Sequence, residues 1–203
     1  MTSAEQREEA IVPRSLETAK LSAYGLSALA VGAFLLLPLV NLFHPSPWQR
    51  TLGFVHGMAA MLAVIVITYA GHLAFPLLRG AQLVLPKTQK LAFAASVLAF
   101  ISVATGNAAY ARYRAPLNGA RAFLTEHSPL VHWVYMEAHE FMVLFTVPLG
   151  VAVSWILWRY YDAIFTPQNR PVLAATSIAL MAMMLYGIIG FVTGLSIAKV
   201  HAL

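Results

Sequence analysis

An all-α, polytopic integral membrane protein is the fold class that this sequence predicts, and three observations lead to that prediction. Of the 203 residues, 60% are hydrophobic and only 10% are charged, whereas about a quarter of the residues in a soluble domain are charged. The apolar residues gather into five segments that reach the length of about 20 residues that a membrane-spanning helix requires. Prolines mark the connections between these segments, as is typical of helix boundaries.

The five predicted transmembrane helices, or spans, follow one another with short connections. Their approximate bounds are residues 20–43, 52–78, 91–110, 131–160 and 172–199. Residues 20–203 are therefore expected to form one five-helix transmembrane domain. Residues 1–19 are polar and contain four glutamates, which differs from the basic start of a secretory signal peptide. They are expected to form a separate N-terminal segment.

The distribution of lysine and arginine predicts how the spans are oriented. Eight basic residues fall on the side that holds the N-terminus and five on the opposite side, so the positive-inside rule favours a cytoplasmic N-terminal segment. The net charge of +5 is interpreted as membrane topology and not as a surface for nucleic acid. In this orientation the polar stretch HSPLVHWVYMEAHE, residues 127–140, enters the membrane from the outer side.

That polar stretch has a counterpart earlier in the chain, which suggests an internal repeat. His44 opens HPSPWQRTLGFVH and His127 opens HSPLVHWVYMEAH, and in each a second histidine follows twelve residues later. His56 therefore aligns with His139, since both pairs of histidines are 83 residues apart.

The spans that follow these histidines also end alike. Span three ends in SVATGNAAY and span five in GFVTGLSIA, which places Gly106 and Gly194 at an offset of 88 residues. Spans two to five are therefore predicted to form a four-helix bundle with pseudo-twofold symmetry, and span one is an added helix. The two histidines and the two glycines would then lie at one depth. The alternative is that these matches arise by chance.

Histidines inside membrane spans are costly unless they face the bundle interior and have a partner. Two facing imidazoles, from His56 and His139, could share a haem iron as axial ligands. Gly106 and Gly194 would leave room for the flat ring. The chain has no cysteine, which excludes disulfides, iron–sulfur clusters on this chain and covalent haem attachment. A non-covalent haem b with both axial positions filled would transfer electrons and not bind oxygen.

Basic side chains beyond the histidines would hold the carboxylates of such a haem. Arg112 and Arg114 follow span three and are predicted partners of the haem propionates, because a guanidinium donates two parallel hydrogen bonds to a carboxylate. His132 lies seven residues before His139 on the same helical face. It could bond a propionate, ligate the iron in place of His139, or lie in water at the interface, and exposure to water is the favoured interpretation.

Spans two to five resemble the small bacterial membrane b-type cytochromes, through His56 in FVHGM and His139 in EAHEF. In that family, histidines on two helices of a four-helix bundle hold non-covalent haem. The resemblance implies a haem b electron-transfer subunit in the bacterial inner membrane, with other redox subunits and quinone as partners. Family members often carry a second haem near the other face. Here His72 is the only histidine within a span on that side, so one haem is expected.

Two other classes of function stay open at this stage. His56, His132, His139, Glu137 and Glu140 could bind copper, zinc or iron near the outer face, since imidazole and carboxylate suit those ions. Alternatively, the chain is a cofactor-free membrane subunit of a larger complex, which is the default if the repeat arises by chance. Whether the chain belongs to an enzyme is undecided beyond a role as the electron-transfer subunit of an oxidoreductase complex.

Overall fold

A computed structural model describes residues 24, 25, 28, 48–115 and 119–200, and within these ranges every regular element is a helix. The elements are Trp48–Leu78 (α1), Leu85–Tyr113 (α2), Ala120–His127 (α3), Glu137–Arg159 (α4) and Arg170–Val200 (α5). A π-helical turn, Val131–Met136, leads directly into α4. The predicted polar segment 1–19 and nearly all of the predicted span 20–43 lie outside the described residues.

Four stretches in the described part of the chain are long and apolar enough to cross a membrane. They are Thr51–Leu78, Gln82–Tyr110, Val131–Arg159 and Pro167–Val200. These four stretches correspond to predicted spans two to five. By length and composition the chain is therefore a multi-pass membrane protein.

One helix begins earlier than predicted. The hydropathy pattern starts span three at residue 91, but α2 starts at Leu85 and includes Pro86 in its first turn. Proline is favoured there because the first N–H groups of a helix have no partner within the helix. Pro76 and Pro148 lie inside α1 and α4, as the sequence predicts.

The four long helices form a closed ring of neighbours. Helix α1 packs against α2 and α5, and α4 packs against the same two helices. The helices α1 and α4 therefore lie diagonally across the bundle, as do α2 and α5. The "histidine end" is the end of the bundle that contains the start of α1, the end of α2, α3, the turn Val131–Met136 and the end of α5.

Small residues let the helices approach closely in the middle of the bundle. A Cβ atom at Gly150 of α4 would lie 2.5 Å from Ser96 Oγ and 3.2 Å from Ser96 Cα of α2. Buried alanines, among them Ala63, Ala95 and Ala99, line the same central region. Close contact through small side chains is how helices commonly pack in membranes, and here it brings the neighbouring helices α2 and α4 together.

Candidate cofactor site

His56 of α1 and His139 of α4 face each other across the bundle. Their ring centroids are 6.3 Å apart and their planes are nearly perpendicular, at 89°. Both side chains are half-buried. Because α1 and α4 are diagonal partners, the space between the two rings lies inside the ring of four helices.

Each of these histidines is oriented by a backbone carbonyl on the next long helix of the chain. His56 Nδ1 lies 2.8 Å from the carbonyl oxygen of Ser102, and His139 Nδ1 lies 2.6 Å from that of Gly190. A carbonyl oxygen can only accept, so Nδ1 carries the proton and donates it. The lone pair is then on Nε2, which is how a metal-ligating histidine is usually prepared.

The threonines of the two Thr-Gly pairs bind the same carbonyls. Thr105 Oγ1 donates to Ile101 O at 2.7 Å and also lies 3.2 Å from Ser102 O. Thr193 Oγ1 likewise donates to Ile189 O at 2.8 Å and lies 3.0 Å from Gly190 O. Each of the two carbonyl oxygens therefore lies within hydrogen-bond distance of a histidine nitrogen and a threonine hydroxyl. The two carbonyls are 88 residues apart, like the two Thr-Gly pairs, so the sequence match corresponds to matching contacts.

The glycines of those pairs lie directly against the histidine rings. A Cβ atom at Gly106 would lie 2.9 Å from both Cε1 and Nδ1 of His56, and one at Gly194 would lie 2.7 Å from Cε1 of His139. A side chain at either position would displace the ring. By contrast, a Cβ at Gly57, near His56 on α1, would meet nothing within 4 Å.

The spacing of the two rings fits a group ligated by both. With metal–nitrogen distances of about 2 Å and a ring nitrogen about 1.1 Å from its centroid, two imidazoles on opposite sides of one metal have centroids about 6 Å apart. The observed separation is 6.3 Å. The glycines leave room for the imidazole rings, and the spacing of the two rings fits a haem held by two histidines.

The alternative of a metal ion held by several side chains gains no support from the geometry. Within residues 48–115 and 119–200, no three histidine, aspartate or glutamate side chains gather where they could hold a metal ion.

His132, which was expected to lie in water, is buried. Only 2% of the residue is exposed, because the turn Val131–Met136 directs it inward together with Met136. Its Nδ1 lies 2.7 Å from the hydroxyl of Tyr113, which is itself buried. The interpretation as an interfacial, solvated histidine is therefore wrong. Sequence reasoning also missed Tyr113, since an aromatic residue near a span end looks like part of the interfacial aromatic belt.

The two predicted arginine partners differ in their surroundings. Arg114 is exposed, and its Nη2 donates to the Tyr110 hydroxyl at 2.8 Å while its guanidinium lies 4.7 Å from the Tyr110 ring centroid. Arg112 is half-buried. Arg114 and Arg121 both line a surface pocket of about 440 Å³ at the histidine end.

The two carboxylates of the opening stretch also differ. Glu137 is exposed, whereas Glu140 is half-buried and lies within hydrogen-bonding reach of the Tyr110 hydroxyl. One oxygen of Glu140 is buried without a partner in the described part of the chain. His72, the histidine within a span on the other side, is exposed on α1.

Comparison with known proteins does not indicate a function. No known family, no curated protein and no solved structure matches the chain. The geometry around His56 and His139 is therefore the basis for assigning a function.

Proposed function

We propose that the chain is a membrane electron-transfer subunit that holds one haem b between His56 and His139. The observation that supports this most strongly is the pair of facing rings, 6.3 Å apart, each with Nδ1 bound to a carbonyl and Nε2 left as the ligand nitrogen. Such a haem supplies a one-electron couple between ferric and ferrous iron. Held by His56 and His139, it would transfer electrons and would not bind oxygen.

The proposal includes a pseudo-twofold relation between α1–α2 and α4–α5. Three contacts recur in both halves and support it: histidine to carbonyl, threonine to the same carbonyl, and glycine against the histidine ring. The predicted span 20–43 is then an additional helix outside the repeat. The symmetry explains why two matching sequence stretches stand at matching depths.

In this proposal the chain itself provides the haem ligands and the backbone groups that orient them. It requires partners to deliver and receive electrons. We propose that these are other redox subunits of a complex in the bacterial inner membrane, with quinone as a further candidate. The histidine end faces outward in this proposal, since the excess of lysine and arginine lies at the other side.

The direct test is a dithionite-reduced minus oxidised visible spectrum of the purified protein, with metal content from mass spectrometry of the same sample. A sharp spectrum of low-spin haem b, with about one iron per chain, is the expected result for a single bis-histidine haem. Stoichiometric zinc or copper without haem would instead favour the metal-ion alternative. A sample with neither would favour a cofactor-free subunit.

Ligand variants then test the assignment residue by residue. His56→Leu and His139→Leu each remove one axial ligand, and each should abolish the low-spin spectrum. Ser102 O and Gly190 O keep their threonine partners in these variants, so the helices should stay intact. His72→Leu and His127→Leu, which change exposed histidines, should leave the spectrum unchanged. A low-spin spectrum that persists in both ligand variants would refute the assignment.

A further inference from the structure

Tyr113 and His132 form a buried polar pair at the histidine end. Tyr113 ends α2 and is 1% exposed, and His132 lies in the turn before α4 and is 2% exposed. The Tyr113 hydroxyl and His132 Nδ1 are 2.7 Å apart. Neither side chain takes part in the contacts that orient His56 and His139, so the pair has a separate role.

The hydrogen bond between them determines which nitrogen of His132 carries the proton. Burial, followed by the charge of Glu140, raises the pKa of Tyr113 to about 12, so the phenol keeps its proton at neutral pH. A buried hydroxyl that did not donate would leave that proton unsatisfied. Tyr113 therefore donates to Nδ1, and the proton of the neutral His132 ring is on Nε2.

His132 Nε2–H is a buried donor that still needs an acceptor. The nitrogen is buried and has no hydrogen-bond partner in the described part of the chain. Leaving such a donor unsatisfied is costly, so an acceptor from outside the described residues is expected. His132 is thus the reverse of His56 and His139, whose Nδ1 atoms donate to carbonyls and whose Nε2 atoms are free to bind a metal.

Two arginines near the pair could share a carboxylate acceptor with His132. Arg121 and Arg114 both disfavour the charged form of His132. Among the charged groups that the structure describes near the pair, Glu137 acts in the opposite sense on His132 and Tyr113, and Glu140 does so on Tyr113. The same two arginines line the pocket at this end. Seven residues separate His132 from His139, which is about 10 Å along a helix. That distance is comparable to the reach of a haem propionate from its iron.

We propose that Tyr113 and His132 form a carboxylate-binding pair in which His132 Nε2–H donates a hydrogen bond to a haem propionate. This inference rests on the proposed haem site. His132 is the binding residue, and Tyr113 is a positioning residue that keeps the proton on Nε2. The pair would select a haem with free carboxylates and fix which edge of the ring faces the histidine end.

The experiment compares haem b with haem b dimethyl ester, in which both propionates lose their charge. Apoprotein produced in haem-deficient cells is titrated with each compound, and the low-spin absorption reports binding. The wild-type protein should bind haem b about tenfold to a hundredfold more tightly than the ester, the range for a hydrogen bond to a charged group. His132→Phe should remove most of this discrimination, and Tyr113→Phe should reduce it.

Two further variants distinguish loss of propionate binding from loss of the haem site. His127→Phe, at an exposed position in the same region, should discriminate like the wild type. Tyr113→Phe keeps the ring that stacks on Tyr110, with centroids 5.3 Å apart, so this variant is expected to fold. If His132→Phe does not fold, the reduced discrimination of Tyr113→Phe tests the inference.

Two results would overturn the inference while the haem site stands. One is equal wild-type affinity for haem b and its ester, which would mean that the buried donor serves another acceptor, such as a quinone carbonyl. The other is undiminished discrimination in both His132→Phe and Tyr113→Phe, which would assign it to the arginines. Failure of the wild-type protein to bind either compound would refute the proposed function instead.

Discussion

Three histidines at one end of the bundle differ in the nitrogen that remains available. His56 and His139 donate from Nδ1 to backbone carbonyls, which leaves the Nε2 lone pair. His132 receives a hydrogen bond at Nδ1 from Tyr113, which leaves an Nε2–H donor. Because the hydrogen bond at one ring nitrogen sets the tautomer, the same residue type presents a free Nε2 lone pair at two positions and an Nε2–H donor at a third.

Gly106 and Gly194 lie against the rings of His56 and His139, so substitutions there test the proposed haem site. Gly106→Ala and Gly194→Ala would place a methyl group within 2.9 Å of a histidine ring. Overpacking of this kind costs about 1–3 kcal/mol, so haem affinity should fall about fivefold to a hundredfold. Titration of apoprotein with haem b measures the change. Gly57→Ala, which meets nothing within 4 Å, is the matched control, and equal affinities in all three variants would contradict the prediction.

The relative orientation of the His56 and His139 rings predicts a spectroscopic property of the proposed haem. Parallel axial imidazoles split the iron d orbitals that overlap with them, whereas perpendicular rings leave those orbitals nearly degenerate. The rings of His56 and His139 are at 89°. Low-temperature electron paramagnetic resonance of the oxidised protein should therefore show one strongly anisotropic low-spin signal. A rhombic spectrum with three well-separated features would show that the rings rotate towards parallel when haem binds.

At the scale of elements, the π-helical turn Val131–Met136 is the irregular feature of the histidine end. A π turn is often found at functional sites, and here it connects directly to the helix that carries His139. His132 and Met136 of the turn are both buried. The turn thus places His132 and Met136 on the inward side of one continuous span, ahead of His139.

The contact between α2 and α4 depends on Gly150. A valine there would bring Cβ to 2.5 Å from Ser96 Oγ and 3.2 Å from Ser96 Cα, and a backbone atom cannot move aside as a side chain can. Gly150→Val should destabilise the bundle by about 1–3 kcal/mol, which would appear as a lower Tm of the detergent-solubilised protein. Gly53→Val, where nothing lies within 4 Å of the Cβ, is the control. Similar Tm changes in both would contradict the close contact.

The whole molecule presents an apolar surface that suits a bilayer. Large side chains on the outside of α1 are exposed, among them Phe54 (69%), Ile65 (58%) and Phe75 (58%). In water, so many exposed aromatic and aliphatic groups would be unfavourable. Against lipid chains they carry no such cost, so the arrangement of buried small residues and exposed large ones fits a membrane bundle.

The orientation of the molecule in the membrane is predicted by charge. The N-terminal segment and the end opposite the histidines hold eight of the thirteen lysines and arginines, so that end should be cytoplasmic. A reporter enzyme that is active only outside the cytoplasm should be inactive when fused after Gly80 and active when fused after His127. The reversed pattern would place the histidine end inside. A fusion after Leu203 that is also active would support an odd number of spans.

Much of the fold could be predicted because hydropathy is a local property. A run of apolar residues predicts a membrane span whichever other helices pack beside it. The positions of spans two, four and five were therefore predicted closely. The start of α2 was not, because Lys87 and Lys90 interrupt the hydropathy within its first two turns. The exposure of His132 was also predicted wrongly, since burial depends on which helix face meets a neighbour.

By itself the sequence determined a membrane protein with histidines inside two of its spans and a glycine near the end of two others. Only the tertiary structure decided that His56 and His139 face each other and that His132 pairs with Tyr113. The contacts that orient His56 and His139 join residues 46 and 51 positions apart. Such pairings depend on how the four helices surround one another, because packing alone determines which carbonyl or hydroxyl lies beside each imidazole ring.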